Sequence, residues 1–348
     1  MDDTPVHTCA TRSGPRFGLY HRVPRPTLRA KAQSRNLGNV MTEQTSNRAQ
    51  RLLKLLELKQ IEENLYQGFN EKENGSRLFG GQVLAQATMA AYRTVKDVHV
   101  HSLHAYFLRA GNVSRPVLYE VERIRDGRSF TTRRVVAIQN GLAIFNMDIS
   151  FQGDEIGLDH SLPMPNVPLP DELRSDRDVA LSLGGPKADP RLSPMAKLER
   201  PFEIRSVFEL GSDAWGENRF WNPAWIRFLE PLPGHSTEAS ETLKGKKDDD
   251  FQRQLMSRCL LAYASDMGLV STGNLPHQSE VDRSQLQMAS LDHSIWIHRP
   301  VPMDEWLLFH KRTSTAQASR GMVHADFFTV DGTLIASATQ EGLIRITE

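Results

Sequence analysis

The sequence predicts an α+β protein built twice over, each half an antiparallel sheet wrapped around one central helix. Three observations carry that expectation. The first is a repeat: VHSLHAYF at 100–107 matches SLDHSIWI at 290–297, and each run reaches an Arg two residues later, Arg109 and Arg299. The second is an Ala-rich apolar stretch ahead of each copy, fit for a buried helix. The third is a tight-turn dipeptide within each copy, Asn140-Gly141 and Asp331-Gly332, between segments of alternating polarity, the mark of antiparallel hairpins. A period near 190 residues is too long for a solenoid and reads as a duplicated domain.

The elements follow in order. Leu52, Leu53, Leu55, Leu56 and Leu58 suggest a short amphipathic helix. RLFGGQVLAQA at 77–87 reads as a Gly80-Gly81 turn followed by the first central helix, running past Ala90. Its counterpart runs from about Gln252 through Leu260, Leu261 and Ala262 to Asp266. Strands follow each helix, and the whole is an α+β unit repeated. The halves are expected at 49–153 and 201–348, joined by a linker at 154–200 where Pro163, Pro165, Pro168, Pro170, Pro186, Pro190 and Pro194 exclude central strands. The run Lys244–Asp250 is expected to be a solvated loop before the second helix.

Composition excludes several classes. A formal net charge of zero over 348 residues, with no basic stripe, argues against nucleic acid as a partner. No apolar run approaches the roughly 20 residues that span a bilayer. Cys9 and Cys259 are too far apart for metal-type spacing and too few for a disulfide framework. His99, His101 and His104 cluster without an HExxH pattern, so no metal is expected. Residues 1–40 hold seven Lys or Arg and two acids without apolar periodicity, so 1–48 is expected to be a disordered tail or an extension upstream of Met41. An Arg-rich leader can address mitochondria, but Asp2 and Asp3 are atypical of one. The final Ile346-Thr347-Glu348 is not the peroxisomal Ser-Lys-Leu, which leaves the cytoplasm as the expected location.

RLFGGQVLAQA, VHSLHAYFLRAG, Asp126-Gly127 with Ser129-Phe130, SLDHSIWIHRP and ATQEGLIR resemble, in order from about residue 50 onward, the acyl-CoA thioesterase II, or TesB-like, family. The resemblance implies a double hot-dog fold and hydrolysis of acyl-CoA to fatty acid and coenzyme A, with no metal or organic cofactor. It also implies an active site of Asp266 on the second helix, Ser290 on a nearby strand and Gln340 on the last strand. Ser290 stands where relatives can carry Thr, and the hydroxyl is kept. Association into a homodimer or larger closed assembly is expected of such domains.

The repeat supports those three residues independently. Ser290 falls opposite Val100, Gln340 opposite Ile149 and Asp266 opposite Val95. A structural role shared by both halves would not replace three polar residues with apolar ones, so one site per chain is expected, the first half supplying walls and packing. Asp266 would take a proton from water if burial raises its pKa, and Ser290 and Gln340 would fix that water. A Ser290–His293 nucleophile pair is disfavoured: three residues apart on one strand they would face opposite ways, and no G-x-S-x-G elbow occurs. A hydratase on enoyl thioesters would need a His–acid pair facing the substrate. A non-catalytic acyl-CoA-binding module would lack the polar trio in both halves.

Overall fold

The computed structural model describes residues 48–70, 77–184, 200–209, 218–232 and 243–347, with side chains from 248 onward in the last segment. The expected tail at 1–48, apart from Arg48, and part of the linker, 185–199, lie outside these. Helical turns over 48–55, here α1, bury Leu52 and Leu56. Then come β1 (Lys59–Glu62), β2 (Leu65–Gly68), α2 (Gly80–Tyr92), β3 (His99–Phe107), β4 (Val117–Asp126), β5 (Phe130–Gln139) and β6 (Leu142–Gln152). The second repeat contributes β7 (Phe202–Ser206), β8 (Trp221–Phe228), α4 (Leu243–Ser265), α5 (Leu269–Thr272), β9 (Leu286–Ser290), β10 (Asp292–Ile297), β11 (Leu307–Gln317), β12 (Arg320–Thr329) and β13 (Leu334–Ile346). Between the repeats stands α3 (Asp176–Ser182), whose N-cap Ser175 accepts from the Asp178 amide.

The described strands form one antiparallel sheet. Its order is β1-β2-β4-β5-β6-β3-β10-β13-β12-β11-β8-β7, with β9 also paired to β13. The repeats meet where β3 pairs with β10, Tyr106 against Asp292 and Ser102 against Trp296. Two central helices pack against the sheet and against each other. α2 is buried from Gly81 to Tyr92, which its run of Ala and apolar side chains permits. α4 packs antiparallel to it, so the start of α2 lies against the end of α4. Both repeats share one apolar core, in the double hot-dog arrangement.

Sequence signals account for most junctions. Asn140 and Gly141 adopt φ of 52° and 72°, the left-handed pair that a two-residue hairpin needs. Two expectations are corrected. Gly80 and Gly81 are not a turn before the helix but its first two residues. The charged run 244–250 is not a loop but the opening turns of α4: Lys is a good helix former, and without Pro the run is weakened by Gly245 but not broken.

The linker has a packing role. Met164, Val167 and Leu173 cover Trp225, Leu308 and Phe328 on the outer face of the second repeat. The Trp225 indole N–H donates to the Pro168 carbonyl at 2.8 Å.

Candidate active site

α4 ends at Ser265, and Asp266 follows directly, 8% exposed, with Gly268 turning the chain at φ 72°. The three residues singled out in the sequence meet here. Ser290 Oγ donates to Asp266 Oδ1 at 3.1 Å, and Gln340 Nε2 donates to the same oxygen at 2.7 Å. Gln340 is fully buried on β13, and its Oε1 has no donor among the described residues.

A break in strand register aims Ser290 inward. Ser290 pairs with Gly342, yet Ser294 pairs with Thr339. The residue numbers sum to 632 and then 633, so the chain carries one extra residue between β9 and β10, a bulge. Asp292 fastens it: its Oδ1 accepts from the Glu341 amide at 2.7 Å, while the Leu291 amide donates to the Glu341 carbonyl at 3.0 Å. The first repeat has the same irregularity between Val100 and Ser102. The bulge corrects the expectation that Ser290 and His293 face apart, because an extra residue inverts the alternation beyond it. Both side chains reach the end of α4. They are still not a nucleophile–base pair: His293 Nε2 bonds Ser265 Oγ at 2.8 Å, and Ser290 bonds Asp266. Burial pushes His293 down to about 3, which keeps it neutral.

The first repeat contributes a group that sequence reasoning missed. The Gly81 amide donates to Asp266 Oδ2 at 2.9 Å. A Cβ at Gly81 would stand 2.3 Å from the Tyr263 carbonyl oxygen, and one at Gly80 would stand 2.7 Å from Asp266 Oδ2. The glycine pair therefore lets the positive end of α2 approach the carboxylate. The signal was present, since paired glycines often mark a close approach of backbone, but no spacing rule names the partner. Against three donors, desolvation still dominates and pushes Asp266 up to about 6; the bonds from Gln340, Ser290 and Gly81 pull the other way.

The matching place in the first repeat is filled. Val100 and Ile149 are buried among apolar neighbours. Where α2 opens with Gly80 and Gly81, the aligned start of the α4 core segment presents Phe251, whose ring stacks on His99 at 4.6 Å. Thr94, aligned with Ser265, accepts from the buried Arg133 guanidinium at 2.9 Å. His101 bonds Ser150, and His104 bonds Ser294. Among the described residues no group of three His, Cys, Asp or Glu converges as metal ligands would, and no helix is long and apolar enough to cross a membrane.

A double hot-dog with a buried Asp–Ser–Gln constellation defines a class, and comparison with known proteins gives the family. Residues 71–152 match the family described as acyl-CoA thioesterase N-terminal domain, and residues 222–343 match acyl-CoA thioesterase. Acyl-coenzyme A thioesterase 8 of Mus musculus is 38% identical over 301 residues, 84% of this chain and 88% of the mouse protein. Acyl-CoA thioesterase 2 of Haemophilus influenzae is 33% identical, covering 85% of this chain and 98% of that one. Among solved structures, acyl-CoA thioesterase II TesB2 of Mycobacterium marinum superposes with a TM-score of 0.65 at 33% identity, over 86% of this chain and 98% of the other. A hot-dog protein of Alicyclobacillus acidocaldarius, 16% identical with a TM-score of 0.63, shares the fold. The chain belongs to the TesB-like acyl-CoA thioesterase family.

Proposed function

We propose that this chain hydrolyses acyl-CoA thioesters at Asp266 by direct attack of water, without a covalent acyl-enzyme. The observation that carries the reading is the convergence of Ser290, Gln340 and Gly81 on one buried carboxylate. A carboxylate pushed up to about 6 is ionised at neutral pH yet basic enough to take a proton. Gln340 Oε1, with no donor among the described residues, is placed to accept from a water O–H. The Ser290 hydroxyl can supply the second contact.

Asp266 takes a proton as the water oxygen bonds to the thioester carbon, giving a tetrahedral oxyanion. Gly80 opens α2, so its N–H has no intrahelical acceptor. That donor and the helix dipole suit the developing negative charge. Collapse breaks the C–S bond, and the proton held on Asp266 passes to the departing coenzyme A thiolate. The serine-nucleophile route is disfavoured because Ser290 donates to a carboxylate and has no imidazole partner among the described residues. The hydratase route is disfavoured because His293 is paired with Ser265 rather than with an acid.

The test is thiol release from a panel of acyl-CoAs, followed by single turnover in ¹⁸O-labelled water. The expected result is thiol release with one labelled oxygen in the free acid and no acyl group on the protein. An acyl adduct on Ser290 would overturn the mechanism, and hydration of an enoyl-CoA without thiol release would overturn the activity. Assembly into a homo-oligomer and a cytoplasmic location remain part of the proposal, tested by light scattering and by imaging the tagged full chain.

A further inference from the structure

The comparison of repeats that isolates Asp266, Ser290 and Gln340 isolates one further residue, His293. At the same offset of 190 its counterpart is Leu103, and both side chains are buried. Ser294 pairs with Thr339, so one step along the two strands stand His293 and Gln340. From there the imidazole reaches the last residue of α4. Ser265 has one hydroxyl proton, and that proton goes to the Ala262 carbonyl at 3.0 Å. His293 Nε2, 2.8 Å from Ser265 Oγ, is therefore the donor, which leaves Nδ1 without a proton. Nδ1 has no partner among the described residues, and a buried acceptor left unpaired costs free energy. Leu103 fills the matching place without such a group. What the imidazole offers in return is the bond from Nε2.

The first repeat holds the equivalent hydroxyl by other means. Thr94, aligned with Ser265, accepts from Arg133 Nε at 2.9 Å, and the Thr94 carbonyl accepts from Arg133 Nη2 at 3.2 Å. Arg133 pairs with Arg123 as Val323 pairs with Thr313, so Arg133 and Val323 occupy one position of the repeat. Each half thus anchors the hydroxyl at its helix end through one buried nitrogen donor, but from a different strand. Arg133 and Leu103 fill the two places in the first half, Val323 and His293 in the second. The exchange takes a positive charge away from the helix end that carries Asp266. A guanidinium bonded to Ser265, the residue before Asp266, would favour the ionised carboxylate and weaken it as a base. An uncharged imidazole fixes the helix end and leaves the carboxylate basic.

We propose that His293 is a positioning residue for this hydrolysis, an uncharged donor that fixes Ser265 and through it sets Asp266 against Ser290, Gln340 and Gly81. This rests on the thioesterase reading above. The test measures kcat and KM for thiol release from the best acyl-CoA of the panel, together with melting temperature. Wild type, His293→Gln, His293→Asn and His293→Leu are compared. Gln carries its amide nitrogen about as far from the backbone as imidazole Nε2, whereas Asn carries it at the distance of Nδ1. In the Asn and Leu variants kcat is expected to fall about ten- to a hundredfold, the scale of a misplaced catalytic group, with KM little changed. His293→Gln should restore most of kcat. Equal kcat in the Gln and Asn variants overturns the role, whatever their melting temperatures, and so does a loss confined to KM. NMR of the ¹⁵N-histidine-labelled wild type needs no variant: His293 is expected as the neutral Nε2–H tautomer throughout about pH 5–8. An Nδ1–H tautomer or an imidazolium in that range overturns the assignment. Wild-type failure on every acyl-CoA is a different result: it overturns the thioesterase activity itself.

Discussion

Asp266→Asn should separate the catalytic value of this carboxylate from its cost to the fold. Burial raises its pKa from the ordinary 3.8 to about 6, a shift of about two units at about 1.4 kcal/mol each. The native state therefore binds a proton more tightly than the unfolded chain does. Stability from this group is complete below the unfolded pKa and is lost as pH rises through about 6, leaving a deficit of about 3 kcal/mol at neutral pH. Asn carries no such deficit. Its Oδ1 can accept from the Gly81 amide, while its Nδ2 donates to Ser290 Oγ and to a flipped Gln340 amide. The variant is expected to melt several °C higher than wild type at about pH 8, by somewhat less than the roughly 2–4 °C per kcal/mol of smaller domains. The gain should shrink as pH falls towards about 4. Turnover should drop by about 10²–10⁴, the range for losing a positioned general base. Calorimetry across pH with a thiol-release assay reads both. Full activity in the variant refutes the base assignment. A melting gain independent of pH refutes the titration argument.

Three further outcomes follow from the same geometry. Activity limited by the ionised form of Asp266 should fall with a slope of one as pH drops below about 6, and a flat kcat/KM profile between about pH 5 and 8 would contradict that. Ser290→Ala and Gln340→Ala should each slow turnover, with the double variant less than additive because both groups hold one water. Ser290→Thr should keep most activity, and a dead Thr variant would show that more than a hydroxyl is required. Gly80→Ala should cost turnover more than stability, since its Cβ meets Asp266 Oδ2 and the Phe107 ring at 2.9 Å. Gly81→Ala should lower the melting temperature as well, about 1–3 kcal/mol of overpacking against the Tyr263 carbonyl. Equal melting losses in the two variants would refute that distinction.

What the sequence made legible was what leaves a periodic or repeated trace. The two central helices show as Ala-rich apolar runs, the β5–β6 hairpin as Asn140-Gly141, and the site as three polar residues set against Val95, Val100 and Ile149. Features of tertiary origin left no such trace. The β11–β12 hairpin turns on Ala318 and Ser319, both left-handed at φ 51° and 59°, residues with little preference for that region. Flanking strand pairing imposes the turn, and composition does not announce it. The bulge between Ser290 and Ser294 is a single extra residue, invisible to an ungapped match because both repeats carry it. The start of α4 was hidden for a related reason: six charged residues and a glycine look alike in a solvated loop and in a helical turn.

The asymmetry between repeats accounts for proposing one site per chain and not two. In each half the site position lies between the end of its own helix and the start of the other half's helix, so both repeats must contribute. At the active position the end of α4 supplies Asp266 and the start of α2 supplies Gly80 and Gly81, with no side chain between them. At the opposite position Val95 follows the end of α2, and the stretch of α4 aligned with the glycines presents Phe251 stacked on His99. The loss is therefore distributed over both repeats. Restoring the polar trio to the first would still leave the ring of Phe251 where the glycines stand in the other. That division freed the first repeat to fill its interior with Val121, Val135 and Met147. The second has Lys311, Ala325 and Ala338 in the matching row.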